Sequence, residues 1–219
     1  MNKTVLVTAI GSFSAQAVIT GCHKLGMRVI GCDIYPAAWV VNSMEVDVFY
    51  QAPYATDRTA WREFLVRVCR REQVDYVMPL TDVEVDVLAD WQSAAQELGA
   101  LVCMSGPDTI HLCRDKARMA QFLTEKEICP VIPGWRLSEL AGEAGAARQW
   151  ENPWGEAGTA RQSGEQPDKA GPESLHYPLV VKPVAGRSSQ GLRIAESPRE
   201  LFWPAELLAD QADRYLVPE

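Results

Sequence analysis

The sequence predicts an α/β protein built on a parallel sheet with helices on both faces. Short, almost wholly apolar runs recur at Thr4–Ala9, Met27–Cys32, Tyr76–Leu80 and Leu101–Met104. Segments with apolar residues at helical spacing alternate with them. Strands this apolar need cover on both sides, which is the situation of a parallel sheet.

Thr4–Ala9 reads as the first strand, and Gly11 opens the turn that follows. Ser12–Leu25 reads as a helix with Val18, Cys22 and Leu25 on its inner side. Met27–Cys32 is a second buried strand, with Asp33 at its end, and Val46–Tyr50 is a short third. Thr56 or Asp57 can cap the next helix, whose inner stripe is Trp61, Leu65 and Val68. Tyr76–Leu80 is a strand leading into Thr81, Asp82 and Glu84, and a helix that buries Val85, Leu88 and Trp91. Leu101–Met104 completes this part. Ligands on such sheets gather at the carboxyl ends of the strands.

The rhythm changes after Ser105. Ser105-Gly106-Pro107-Asp108 starts a helix, and a second helical segment covers Asp115–Glu125. Two prolines keep Ile128–Pro133 extended. Residues 142–174 are rich in Gly, Ala, Glu, Gln and Pro, with Trp150 and Trp154 as the main groups to bury. That composition predicts a mobile surface insertion, with a short helix near Ala144–Trp150 as the alternative. Leu179–Val184 and Gly191–Ala195 read as a hairpin, Glu200–Asp210 as a helix, and Tyr215–Val217 as the start of a strand with nothing beyond it to hold it.

Composition narrows the function classes. The 219 residues are 47% hydrophobic and 23% charged, enough apolar surface for one large or two small cores. A formal net charge of -8 without a basic tract argues against nucleic acid as a partner. No apolar run reaches membrane-spanning length, and MNKTVLVTAIG lacks the pattern of a secretory signal. The six cysteines, Cys22, Cys32, Cys69, Cys103, Cys113 and Cys129, form no CxxC pair. They read as reduced core residues of a cytoplasmic protein. His23, His111 and His176 are too dispersed for a zinc site.

The stretch VVKPVAGRSSQG, Val180–Gly191, carries the chemistry of the second part. Gly186 and Gly191 have the spacing of a phosphate loop, but Leu192 and Arg193 follow instead of Lys and Ser or Thr, so it is no Walker A motif. Backbone amides of a Gly/Ser loop can still cradle an anion, and Lys182, on one face with Val180 and Val184, can reach it as a point charge. The plain alternative is a solvated lysine beside a hairpin turn. TAIGSFSAQ lacks G-x-G-x-x-G, so a dinucleotide site is weakly supported although Asp33 follows at a suitable distance; otherwise Asp33 is an exposed strand end.

Four segments together resemble the ATP-grasp superfamily, in particular the group similar to the carbamoyl-phosphate synthase large subunit: TAIGSFSAQ with GCDIYP, PLTDVEVD, CRDKARMAQFL with ICPVIP, and YPLVVKPVAGRSSQG. The resemblance implies a Rossmann-like pre-ATP-grasp domain at residues 1–104. The first, incomplete part of an ATP-grasp domain then covers 105–219, with the insertion at 142–174. Lys116 and Lys182 resemble the family's two nucleotide-contacting lysines. Gly186, Arg187, Ser188, Ser189, Gln190 and Gly191 resemble the loop over the phosphates. Val217, Pro218 and Glu219 resemble the hinge along the adenine edge, with proline standing where glutamine is common. The resemblance puts Gly11, Ser12, Asp82 and Glu84 at the substrate cleft; helix capping explains Asp82 and Glu84 equally well. A solvated helix start is the alternative for Lys116.

The implied activity is ATP-dependent carboxylate–amine ligation through an acyl phosphate, the carboxylate and amine being unidentified. Magnesium belongs to the complete enzyme, whose metal ligands are expected after the hinge. The chain alone is therefore expected to be inactive and to need a complementary C-terminal ATP-grasp polypeptide; self-association is compatible with this reading. The alternative is a non-catalytic nucleotide- or ligand-binding module with a degenerate ATP-grasp fold. A dinucleotide-dependent oxidoreductase is the third and weakest reading.

Overall fold

The computed structural model describes residues 3–132, 134–141, 175–186, 190–201 and 214–218. The chain divides into two compact units, residues 1–111 and 112–219.

The first unit holds a five-stranded, wholly parallel sheet of order β3-β2-β1-β4-β5. Its strands are β1 (Thr4–Val7), β2 (Arg28–Asp33), β3 (Val48–Gln51), β4 (Tyr76–Met78) and β5 (Leu101–Val102). Alternation along a strand assigns each side chain to one face. Val5, Val7 and Val29 face α1 (Ala15–Lys24), where Ala15, Ile19 and Cys22 pack on them. Leu6, Ile30, Cys32 and Val77 face the other way, onto α2 (Arg58–Glu72), α3 (Asp82–Ala89) and α4 (Ala94–Leu98). Two cores thus sandwich the sheet, and every residue of β1 is buried.

Asp57 caps α2, its carboxylate accepting from the Ala60 amide at 3.1 Å. Trp61, Leu65 and Val68 are all buried, as the helical spacing predicts. The inner stripe of α1 differs from expectation. Leu25 lies past the end of the helix and is 79% exposed, and Ile19 takes the inward position. In α3, Val87 and Leu88 are buried while Val85 is only half-buried, because the helix is short and its capping geometry sets the rotation. Cys22, Cys32 and Cys69 are core residues, but Cys113 and Cys129 are exposed. All six are free thiols.

The division between units falls within α5 (Pro107–Arg114). The second unit contains α6 (Lys116–Glu125), α7 (Leu137–Ala141), α8 (Pro198–Leu201) and a four-stranded antiparallel sheet. Its order is β6-β9-β7-β8, made of β6 (Gly134–Arg136), β7 (Leu179–Pro183), β8 (Arg193–Ala195) and β9 (Tyr215–Pro218). Its core is Leu137, Leu140, Leu179, Val181, Ala195, Leu201 and Val217.

The expected hairpin is present as β7–β8, with Val180 opposite Ile194. The final strand is not unsupported: β9 is an inner strand, paired with β6 on one side and β7 on the other. Val184 does not share the outer face of Val180 and Lys182. It lies beyond the end of β7 and is buried. The expected insertion at 142–174 lies outside the described residues, as does most of the expected helix Glu200–Asp210.

Candidate functional site

Two sets of candidate residues occur, one in each unit. In the second unit, Lys182 lies on β7 and alternates with the core residue Val181, so its side chain leaves the sheet on the face away from the core. Lys116 is the first residue of α6. The Asp115 carboxylate caps that helix, accepting from the amides of Ala117 at 3.0 Å and Arg118 at 2.9 Å. The Lys116 amide donates to the Val184 carbonyl at 3.1 Å. Its ammonium donates to the carbonyls of Pro183 at 3.1 Å and Val184 at 3.3 Å. The start of α6 is thereby tied to the end of β7, one and two residues past Lys182.

This tie brings two cations together. Burial lowers the pKa of Lys116, and the nearby charge of Lys182 lowers it further. Neither lysine forms an ion pair among the described residues. A partly desolvated lysine pair beside a helix N-terminus is a favourable place for an anion, which relieves the repulsion and meets the helix dipole.

Of the glycine-bounded loop, Gly186, Gln190 and Gly191 are described and exposed; Arg187, Ser188 and Ser189 are not among the described residues. Gly191 has φ +74°, and a Cβ there would come 2.8 Å from Pro183 Cγ. Only glycine fits this left-handed, crowded return into β8. Val217 is fully buried, and Val217 and Pro218 pair with Trp135 and Gly134 of β6. Glu219 lies outside the described residues.

In the first unit, the turn after β1 is locked by its own contacts. The Ile10 amide donates to the Cys32 carbonyl and the Ser12 amide to the Ala9 carbonyl. Asp33 is buried rather than an exposed strand end: its carboxylate accepts from the Gly11 amide at 2.7 Å and the Tyr35 amide at 3.0 Å. A Cβ on Gly11 would sit 2.9 Å from that carboxylate, so glycine is needed for the approach. The Asn42 side chain donates to the Ile10 carbonyl at 2.7 Å. Ser12 keeps its hydroxyl, 3.3 Å from that of Ser14.

Asp82 and Glu84 diverge. Asp82 is exposed at the start of α3, whereas Glu84 is buried. One Glu84 carboxylate oxygen accepts from the hydroxyls of Thr8 and Thr81, each at 2.8 Å, and from the Thr81 amide at 3.2 Å. Burial raises its pKa, and these hydrogen bonds oppose the rise. Glu84 therefore knits the end of β1 to the start of α3. The participation of Thr8 and Thr81 was not read from the sequence. The T-x-x-E spacing of Thr81 and Glu84 signals a capping box, but nothing local announces a partner 76 residues away.

Among the described residues, no three His, Cys, Asp or Glu side chains converge to hold a metal ion. No described helix is long and apolar enough to cross a membrane.

No family model matches the chain. It is 28% identical over 213 residues to the formate-dependent phosphoribosylglycinamide formyltransferase of Synechococcus sp. (strain CC9902), covering 94% of this chain and 43% of that protein. The chain thus spans less than half the length of this relative. The biotin carboxylase domain of Hydrogenobacter thermophilus 2-oxoglutarate carboxylase, solved as a dimer with MgADP, ADP and bicarbonate, superimposes with a TM-score of 0.64. Its sequence identity is 18%, covering 100% of this chain and 44% of that one. The L-amino acid ligase of Bacillus licheniformis superimposes with a TM-score of 0.61 at 17% identity, covering 99% and 44%. At such identities the structural likeness establishes the fold. The chain has an ATP-grasp, biotin-carboxylase-like fold.

Proposed function

We propose that this chain supplies the N-terminal portion of an ATP-dependent carboxylate–amine ligase, with residues 1–104 as the pre-ATP-grasp domain and residues 105–219 as the first part of the ATP-grasp domain. The observation that carries the reading is the juxtaposition of Lys116 and Lys182, without ion-pair partners among the described residues, at the end of β7. In this reading both lysines hold the ATP phosphates, and Gly186–Gly191 folds over them. The backbone of Val217, Pro218 and Glu219 meets the adenine edge, and Gly11, Ser12 and Asp82 serve the substrate. Glu84 acts there as a support, since its carboxylate is already engaged by Thr8 and Thr81.

ATP supplies the chemistry of activation: a carboxylate oxygen attacks the γ-phosphorus, ADP leaves, and an amine then displaces phosphate from the acyl carbon while losing a proton. The lysines contribute electrostatic stabilisation of the phosphoryl oxygens, most effective once water is excluded. Among the described residues the acidic side chains do not converge on a magnesium site. The name of the Synechococcus relative points to formate as the carboxylate and phosphoribosylglycinamide as the acceptor. The likeness to the carbamoyl-phosphate synthase large subunit rests on the four sequence segments. A complementary C-terminal polypeptide, a cytoplasmic location and self-association belong to the same proposal.

Titration with a non-hydrolysable ATP analogue tests it. Lys116→Ala and Lys182→Ala should each weaken binding about tenfold or more, the worth of a charge-assisted contact to phosphate. Unchanged affinity in both variants rules the assignment out. The chain alone should release no ADP in response to formate; substrate-stimulated release by it alone would show that these residues suffice for turnover. A non-catalytic binding module is favoured if the analogue binds and no added C-terminal polypeptide restores turnover.

A further inference from the structure

The outer face of α2 carries a second set of cations that the proposed ligase chemistry does not use. Arg62, Val66 and Arg70 follow one another at four-residue spacing, with Glu63 and Arg67 one position round the helix. With Trp91 and Glu97 they line an open groove of about 500 Å³, within the range of small-molecule sites.

Three features distinguish this groove from an ordinary solvated helix face. First, Arg62, Arg67 and Arg70 form no ion pair among the described residues, although Arg58 on the same helix pairs with Asp90 at 2.7 Å. Second, the Arg62 guanidinium lies over the Trp91 ring, 5.2 Å from its centre, and its Nε is buried without a hydrogen-bond partner. Such an orphaned donor is unfavourable until an acceptor arrives. Third, one of the two acids lining the groove, Glu97, is already occupied. Glu97 accepts from Trp91 Nε1 at 2.9 Å and from the Ser93 hydroxyl. Those bonds, and then the charges of Arg62 and Arg70, lower its pKa, which places both cations within electrostatic reach of the groove.

We propose that this groove binds an organic oxyanion, a phosphate or carboxylate group on a small apolar or aromatic body, held by Arg62, Arg67 and Arg70. Guanidinium forks match the geometry of either group. Val66 and the Trp91 surround supply the apolar wall. The anion offsets the mutual repulsion of the three guanidinium charges.

The test is a titration of the 219-residue chain at low salt, followed through its arginine Nε–H resonances, with phenyl phosphate, benzoate and inorganic phosphate in separate arms. Phenyl phosphate or benzoate should move the Arg62 and Arg70 signals saturably. Arg62→Gln and Arg70→Gln should each weaken that binding about tenfold. Arg58→Gln and Lys182→Ala should leave it unchanged, the latter separating this groove from the lysine pair. Preference for phenyl phosphate identifies phosphate esters as the ligand class, and equal binding of benzoate extends it to carboxylates. Shifts that stay linear to about 10 mM, equal affinity in both arginine variants, or tighter binding of inorganic phosphate alone would overturn the proposal.

Discussion

The turn after β1 in the first unit and the end of β7 in the second treat their polar groups in opposite ways. In the first, the turn that opens after β1 is consumed by internal bonding: Asp33 takes the Gly11 amide, Glu84 takes two threonine hydroxyls and an amide, and Asn42 takes the Ile10 carbonyl. In the second, Lys116 and Lys182 are brought together with no acid paired to them among the described residues. The first arrangement satisfies buried groups and rigidifies a strand end. The second leaves charge in excess, which is what an anionic ligand needs. A carboxylate at the carboxyl end of a parallel strand is therefore not evidence of substrate contact until its hydrogen bonds are counted.

The largest effect that separates the units comes from the core. Trp61→Ala should cost about 3–5 kcal/mol, because a fully buried indole leaves a cavity the sheet cannot fill. Native-state hydrogen exchange should show faster exchange at β1 and β2 with β7 and β9 little changed, as expected for separate cooperative units. Equal acceleration in both sheets would mean that the units unfold as one.

Next comes the buried carboxylate. Glu84→Ala should cost about 2–3 kcal/mol, because it strands the Thr8 and Thr81 donors. Glu84→Gln keeps an acceptor and sharpens the test through pH. A raised folded-state pKa means the protonated form is favoured in the folded state, so this contribution is fully present below the ordinary carboxylate value and is lost as pH rises through the folded pKa. The difference in exchange-derived stability of the first unit between the wild type and Glu84→Gln should therefore shift against the wild type as pH rises over that window, the other carboxylates of the unit being common to both. Parallel curves would show that Glu84 is not the titrating group.

The lysine pair gives the third test. Because the Lys116 pKa lies below its ordinary value, the group loses its charge before an exposed lysine does. Binding of a non-hydrolysable ATP analogue should weaken at alkaline pH by about tenfold at most, the worth of one charged hydrogen bond. Lys116→Arg, whose charge persists across that range, should abolish this loss. A loss retained in the arginine variant would move the titration to another group.

The smallest effect is Gly11→Ala. The added methyl meets the Asp33 carboxylate at 2.9 Å, so the amide bond must lengthen, and a cost of about 1 kcal/mol is expected from weakening one charge-assisted hydrogen bond. Nucleotide affinity should not change, since the lysines lie in the other unit. A larger change in nucleotide affinity than in stability would reverse the contrast drawn between the two regions.

By itself, the sequence determined the periodic parts of this protein. The apolar runs at β1, β2 and β4, the inward stripe of Trp61, Leu65 and Val68, the hairpin that carries Lys182, and the alternation that specifies a parallel sheet all follow from local spacing. The family resemblance also singled out Lys116, which composition alone could not distinguish from its charged neighbours. Tertiary structure decided everything that depends on distant partners. Lys116 and Lys182 are 66 positions apart and meet only because α6 is tied to the end of β7. Glu84 finds Thr8, Asp33 turns inward to Gly11, and β9 becomes an inner strand, through pairings that leave no local signature. The physical reason is that a repeating pattern needs only the burial of one face to be expressed, whereas a polar group's partner is selected by whichever donors folding happens to bring within about 3 Å of it.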